Sequence, residues 1–317
     1  MKKPRPSTIL LISIICHLLA PHAGAQSSQT LFDAVKNNDL EKTRLLLDKG
    51  ASADSYDDDS DNILMYAVLY SSVDMMTLLL EKGSDPNAAN RAGETALMWS
   101  ANDINKIKIL LQHRADINIK AKSGNTALLV ASIGYGKFDI IKLLLDRGAD
   151  AKALNNKKEN ALMRAALFGD TSTISLLLSK GLDINAQDDN GLTALINSIF
   201  NVNRLVTIQL LDRGADPDLV GAFNLTAVSA AVTYNDTESV IAILKKAKNI
   251  DAPDDGDRTS LMWAAYNEHD NVAIIRALLD KGADVNLKAK DGSTALSWAL
   301  KKGNTATVAL LKKAGAK

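Results

Sequence analysis

One short phrase recurs along this chain at a nearly constant spacing. It reads Asn62-Ile63-Leu64-Met65, Thr95-Ala96-Leu97-Met98, Thr126-Ala127-Leu128-Leu129 and Asn160-Ala161-Leu162-Met163. It continues as Thr193-Ala194-Leu195, Thr226-Ala227-Val228, Thr259-Ser260-Leu261-Met262 and Thr294-Ala295-Leu296. Successive first residues lie 33, 31, 34, 33, 33, 33 and 35 apart. A period of this size, repeated this often, means stacked supersecondary units rather than a single globular core.

Within a unit the residue types specify helices. Thr or Asn opening the phrase is suited to cap a helix, its side-chain oxygen accepting an otherwise unpaired amide hydrogen. Ala165-Ala166 and Ala264-Ala265 let neighbouring helices approach closely. Further on, Ile141, Leu144 and Leu145 fall at i, i+3 and i+4, the spacing of one apolar helix face. Gly148, Gly181, Gly214 and Gly282 then stop the second helix by taking positive φ at little cost. Asp-x-Asn or a relative begins the next turn by bonding its own backbone. The apolar content is mostly Leu, Ala, Ile and Val with only 4% aromatic residues, which also favours helix. The expected fold is all-α: helix pairs that bury their apolar faces only by stacking.

The phrase, the following aliphatic pair and the closing Gly-Ala-Asp (Leu210-Leu211 through Gly214-Ala215-Asp216) resemble ankyrin repeats. The resemblance runs from about residue 29 to the C-terminus and implies an ankyrin solenoid of about nine units. These fall at 29–57, 58–90, 91–121, 122–155, 156–188, 189–221, 222–254, 255–289 and 290–317, the first and last acting as caps. The family's Pro and His after Thr are replaced here by Ala and usually Met or Leu. The third unit is two residues short, the fourth and eighth slightly long, and the turn glycine is replaced by Lys158, Asn224 and Asp257. Structural irregularities are expected at those places.

The first 25 residues differ from the rest. Lys2, Lys3 and Arg5 precede the apolar run Ile9–Ala20, and Ala23-Gly24-Ala25 follows Pro21. That order predicts a secretory signal peptide over 1–25, cleaved after Ala25. The apolar run is 12 residues, short of the roughly 20 needed to span a bilayer. Cleavage would leave 34 basic against 37 acidic residues and remove Cys16, the single cysteine. The expected protein is therefore periplasmic or secreted, not inserted in the membrane, free of thiol chemistry, and a monomer. The charge balance gives no basic excess of the kind nucleic-acid binding needs.

Chemistry-bearing clusters are not apparent in the sequence. Outside the leader only His113 and His269 remain, several repeats apart, and no phosphate loop, nucleophile motif or carboxylate pair stands out. Asp57-Asp58-Asp59-Ser60-Asp61 begins like a calcium loop but has Asn62 and Val68 where such a loop needs Gly and Glu. Neither an enzyme, a cofactor nor a metal site is expected.

Ankyrin proteins bind partners through the turn fingers and the exposed ends of the first helices, so the resemblance implies a protein partner on a concave groove. At those helix ends stand Tyr70, Tyr135, Phe168, Phe200, Tyr234 and Tyr266, a ladder of rings of the type that anchors interfaces. Glu94, Glu159 and Arg258 are the candidate finger contacts. Trp99, Trp263, Trp298 and Tyr66 sit inside the first helices and are expected to pack between repeats. Secreted bacterial proteins that look like this have been linked to periplasmic catalase, so support of a periplasmic enzyme is one implied role. An immunity or inhibitor protein that blocks a toxin or enzyme is the alternative.

Overall fold

The computed structural model describes residues 29–234 and 236–317, so the leader expected over 1–25 lies outside the described residues. The chain forms two compact units, the first ending at Ala127 and the second spanning Leu128–Lys317.

The first unit contains α1 (residues 29–36), α2 (Leu40–Asp48), α3 (Ile63–Tyr70), α4 (Val73–Glu81), α5 (Ala96–Trp99) and α6 (Ile104–Gln112). Helix α7 (Ala127–Ala131) starts at the boundary. The second unit continues with α8 (Phe138–Asp146), α9 (Ala161–Phe168), α10 (Thr171–Ser179), α11 (Ala194–Phe200), α12 (Arg204–Asp212) and α13 (Ala227–Thr233). It ends with α14 (Thr237–Leu244), α15 (Ser260–Tyr266), α16 (Val272–Asp280), α17 (Ala295–Lys302) and α18 (Thr305–Lys313). Among the described residues there is no strand, only the isolated bridges Tyr56–Asn62 and Ala89–Thr95.

Within each unit, odd-numbered helices make one row and even-numbered helices a second. In the second unit α9, α11, α13, α15 and α17 pack in succession as the inner row, and α8 through α18 do so as the outer row. From α3 onward each inner helix starts on the recurrent phrase. Asn62 accepts from the Leu64 amide, Asn160 from Met163, Thr193 from Ile196 and Thr259 from Met262. Thr226 and Thr294 each form a reciprocal capping box with the Ser three residues on. The aliphatic positions that follow, such as Leu162, Leu195, Ile199 and Leu261, are fully buried between the rows. The outer row contributes Leu177, Leu210, Ile243 and Leu278, also fully buried.

The sequence departures have local consequences. The short third unit has an inner helix, α5, of only 4 residues, and Thr95 makes no side-chain cap bond. The enlarged fourth unit shortens α7 to 5 residues and spends the extra length on a loop with Gly134 and Gly136 at positive φ. Lys158 and Asp257 keep the turn by adopting φ of 58° and 56° themselves. At Asn224 the turn changes form: Phe223 (φ 58°) and Asn224 (φ 54°) are both left-handed within a 3-10 stretch, Ala222–Asn224.

Candidate functional site

The fingers between repeats are built on one acceptor. Five residues before each of five helix caps stands an Asp or Asn: Asp57, Asn90, Asn155, Asp188 and Asp254. Each accepts backbone amides two and four residues ahead. Asn90 Oδ1 takes Ala92 and Glu94 at 3.0 and 2.9 Å, and Asp254 Oδ1 takes Gly256 and Arg258 at 2.8 and 3.0 Å. This is Asx-turn chemistry closing a tight loop. In the other fingers Ala121, Gly221 and Ala289 occupy the same place. Adjacent fingers are tied by backbone bonds, Lys122 to Ala92, Asp189 to Lys157 and Lys290 to Gly256.

A second regularity pins five of the fingers to their inner helices. The side chain four residues after the cap donates back to the finger in five repeats. Tyr66 hydroxyl donates to Asp57 (2.7 Å), Trp99 Nε1 to Glu94 (2.9 Å) and Arg164 to Glu159 (2.7 and 3.1 Å). Trp263 Nε1 donates to Asp254 (3.0 Å) and Trp298 Nε1 to Ser293 (2.7 Å). So two expected contact carboxylates, Glu94 and Glu159, are already engaged within the chain. Arg258 is engaged likewise: its Nε lies 2.8 Å from Asp254 and its guanidinium 4.8 Å from the centre of Trp263. The aromatic helix positions therefore serve finger geometry as well as packing.

These bonds shape the local electrostatics. Burial alone would push the Asp254 carboxyl up, but the bonds from Arg258, Gly256 and Trp263 outweigh it and hold it below the usual range. Glu159 behaves the same way, burial raising it and the Arg164 and Asn155 bonds lowering it further. The Tyr66 hydroxyl is pushed up to about 12, first by its bond to Asp57 and then by burial. In the acidic run, Asp57 is committed to turn closure, taking the amides of Asp59 and Asp61 and the Tyr66 hydroxyl. Among the described residues no three His, Cys, Asp or Glu side chains group to hold a metal ion.

The ring ladder lies at the C-terminal ends of inner helices and resolves into small clusters. In the first unit Tyr70 ends α3, is 49% exposed, and tilts against Tyr66 at 5.8 Å. In the second unit Tyr135, carried on the glycine loop and 72% exposed, meets Phe168 edge-on at 5.5 Å. Its hydroxyl accepts from Asn201 Nδ2 at 2.9 Å. Phe200 and Tyr234 pair at 5.9 Å. Tyr266 meets Trp298 at 5.1 Å, with Lys302 Nζ 4.3 Å above the Tyr266 ring. Tyr266, Trp263, Thr233, Asn267, Glu268 and Lys302 line an open cleft of about 230 Å³.

Of the exposed rings outside that ladder, Phe223 is the most exposed. Phe223, at a finger tip, is 81% exposed and left-handed. Three residues before the cap, the other fingers carry Asp59, Ala92, Ser123, Lys157, Asn190, Gly256 and Asp291. An aromatic in a column of small and polar residues was the available signal. A bulky residue held in the left-handed region with its ring in solvent contributes little to this fold.

This arrangement defines a repeat scaffold whose surface is presented on pinned fingers and inner-helix ends. The family model for ankyrin repeats (3 copies) matches residues 11–90, 31–121, 83–155, 128–220, 200–289 and 229–317. The chain belongs to the ankyrin-repeat family, a protein–protein interaction scaffold. It is 26% identical over 172 residues to the transient receptor potential cation channel subfamily A member 1 homolog of Caenorhabditis elegans, covering 54% of this chain and 14% of that one. It is 32% identical over 112 residues to the human palmitoyltransferase ZDHHC17, covering 35% of this chain and 18% of that protein. Against the ankyrin repeat protein FPV115 of fowlpox virus it is 39% identical over 121 residues, covering 38% and 21%. The chain thus spans about a fifth or less of these relatives, and the channel and transferase activities in their names belong to those proteins. Among the described residues no helix is long and apolar enough to cross a membrane.

Proposed function

We propose that this chain is an exported, non-catalytic scaffold that grips a folded protein through the inner-helix face of its repeats. The observation that supports it most is the placement, within the second unit, of Tyr135, Tyr234 and Tyr266 at inner-helix ends or just beyond them with 37–72% of each exposed; Tyr70 ends an inner helix of the first unit likewise. Tyrosines offer large contact area with few rotors to freeze, so a row of them is a low-entropy anchor set. Charged finger residues contribute less, because Glu94, Glu159 and Arg258 are held by Trp99, Arg164, Asp254 and Trp263. Phe223 joins the contact set from the finger side. The leader-like order of residues 1–25 supports a periplasmic or secreted location, and a periplasmic enzyme such as catalase is the partner class the family resemblance favours.

The test is capture from periplasmic extract followed by mass spectrometry, with Tyr234→Ala/Tyr266→Ala as the matched variant. Loss of an interface aromatic costs about 2 kcal/mol where it is a hot spot, so captured partner falls at least about tenfold while helical circular dichroism is unchanged. Undiminished capture by a folded double variant removes the inner-helix face as the site.

A further inference from the structure

The outer row of the second unit carries a feature that the inner-face reading leaves unused. Eight of the outer helices, α2 through α12 and then α16 and α18, are 9 residues long. Two residues past each stands a left-handed residue: Gly50, Gly83, Arg114, Gly148, Gly181, Gly214, Gly282 or Gly315. Helix α14 breaks the pattern. It has 8 residues, its cap Lys245 stays at φ −64°, and no residue from Lys246 to Asn249 is left-handed. Instead the Lys246 and Ala247 amides both turn back onto the Ile243 carbonyl at 2.9 Å, and Ala247 is buried. The chain leaves the helix early and turns tightly.

Beside this early stop, α14 and α16 leave a groove of about 560 Å³, floored by Ile241, Leu244, Ala273 and Ala277. On the other side of α14 a second groove of about 270 Å³ runs to α12, floored by Ile208, Leu211, Ile241 and Ala242. The two share Ile241 and Lys245. Ile241 is 42% exposed and Ile208 39%, and Leu205, on the same helix as Ile208, is 73% exposed. These aliphatic side chains give the outer face an apolar floor beside charged rims.

The rim indicates what fits. Lys245, Arg276 and Lys281 edge the larger groove against one carboxylate, Asp280, and Lys246 edges the smaller. None of these four cations makes an ion pair or hydrogen bond among the described residues. Of the carboxylates beside the smaller groove, Glu238 is already paired with Arg204 at 3.3 Å, which leaves Asp212. The chain's own first residues, with Lys2, Lys3 and Arg5 and no acid, have the wrong charge for this rim. Packed helices lie about 8–10 Å apart, so side chains serving both grooves must be about 9 Å apart, or roughly six to seven residues along a helix rising about 1.5 Å per residue.

We propose that the outer face of α12, α14 and α16 is a second docking surface, which takes an acidic amphipathic helix of a partner. Aliphatic side chains about a heptad apart enter the two grooves astride Ile241, and flanking carboxylates meet Lys245, Lys246, Arg276 and Lys281. This face is independent of the ring ladder, so one partner, or two, can engage both.

The test uses a fluorescein-labelled helical peptide of about 15 residues, with Leu at i, i+3 and i+7 on an Ala and Glu background, and its twin with Lys for every Glu. Anisotropy is expected to rise with the acidic peptide and to fall off with added salt. Both Ile241→Glu and Lys245→Glu/Arg276→Glu should weaken it at least about tenfold, and Tyr234→Ala/Tyr266→Ala should leave it unchanged. All these sites are exposed, so circular dichroism should match the parent. Equal binding of the two peptides, or no loss with Ile241→Glu, overturns the proposal. So does sedimentation showing a dimer that Ile241→Glu dissociates, because a second copy would then cover the face.

Discussion

Arg164 offers the sharpest test of how the fingers are held. It lies on inner helix α9 and is 8% exposed, yet carries a full charge. Its Nε and Nη2 lie 3.1 and 2.7 Å from Glu159 Oε2, and its Nη1 donates to the Leu129 carbonyl at 3.0 Å. That carbonyl belongs to the 5-residue α7. Arg164→Met keeps most of the buried stem and removes the donors. Losing the charged bond from Nη1 to the Leu129 carbonyl costs about 1–2 kcal/mol. Glu159 retains Asn155 (2.7 Å) and is 28% exposed in its side chain, so its lost charged bonds are discounted for solvent to about 1–2 kcal/mol. The expected loss is about 2–4 kcal/mol, and about 1 kcal/mol more for Arg164→Ala, which also opens a void. Adding Glu159→Gln to Arg164→Met should recover about 1 kcal/mol by removing the stranded charge. Urea unfolding followed at 222 nm gives these differences as midpoint shifts at constant slope. The carboxyl is held below its ordinary range in the native protein. The stabilisation is therefore complete at neutral pH and lost as pH falls through and below the carboxylate range, so the gap between parent and variant narrows in acid. A Met variant within about 0.5 kcal/mol of the parent at neutral pH, or strict additivity with Glu159→Gln, would refute the clamp.

Two further outcomes follow from the same geometry. Gly191→Ala should destabilise more than Gly214→Ala: both glycines have positive φ (70° and 92°), at a cost of about 1–2 kcal/mol, but a methyl at Gly191 meets the Gly221 Cα and Val220 carbonyl at 2.9 Å while at Gly214 it meets nothing. Equal urea midpoints would contradict that reading. Tyr66 should ionise near 12 and not near 10 when followed by ultraviolet difference absorbance, and Asp57→Asn should bring it down. Because the native value is the higher one, any stabilisation from this bond is complete below about pH 10 and disappears as pH climbs toward 12.

The helix pairs and their stacking were legible because cap, aliphatic pair and closing glycine repeat in register in most units. Their lengths were less so. That Thr95 would leave its cap bond unmade, or that α14 would stop a residue early, depends on where a loop finds its next hydrogen bond. The finger acceptors were present in the sequence as Asp or Asn five residues before the cap, but Ala121, Gly221 and Ala289 break that column and hide it. The engagement of Glu94, Glu159 and Arg258 was out of reach for a different reason. Trp99 reaches five residues back to Glu94, whereas Trp263 reaches nine back to Asp254, so no single spacing announces the pairing.

That engagement bears on where binding energy can come from. A charged finger free in solvent would have to be ordered on docking, at about 0.5–1.5 kcal/mol for each flexible side chain. Here the cost is met in the fold, since Arg258 is stacked on Trp263 and bonded to Asp254 before any partner arrives. The same bonds leave those charges little to offer a partner. An ankyrin surface so pinned presents fixed backbone and rings, and its selectivity should rest on the shape set by Tyr135, Tyr234, Tyr266 and Phe223. On the outer face the reverse holds. Lys245, Lys246, Arg276 and Lys281 are uncommitted, so charge rather than shape should decide what docks there. Salt should therefore separate the two faces, weakening outer-face binding steeply while leaving inner-face capture largely intact.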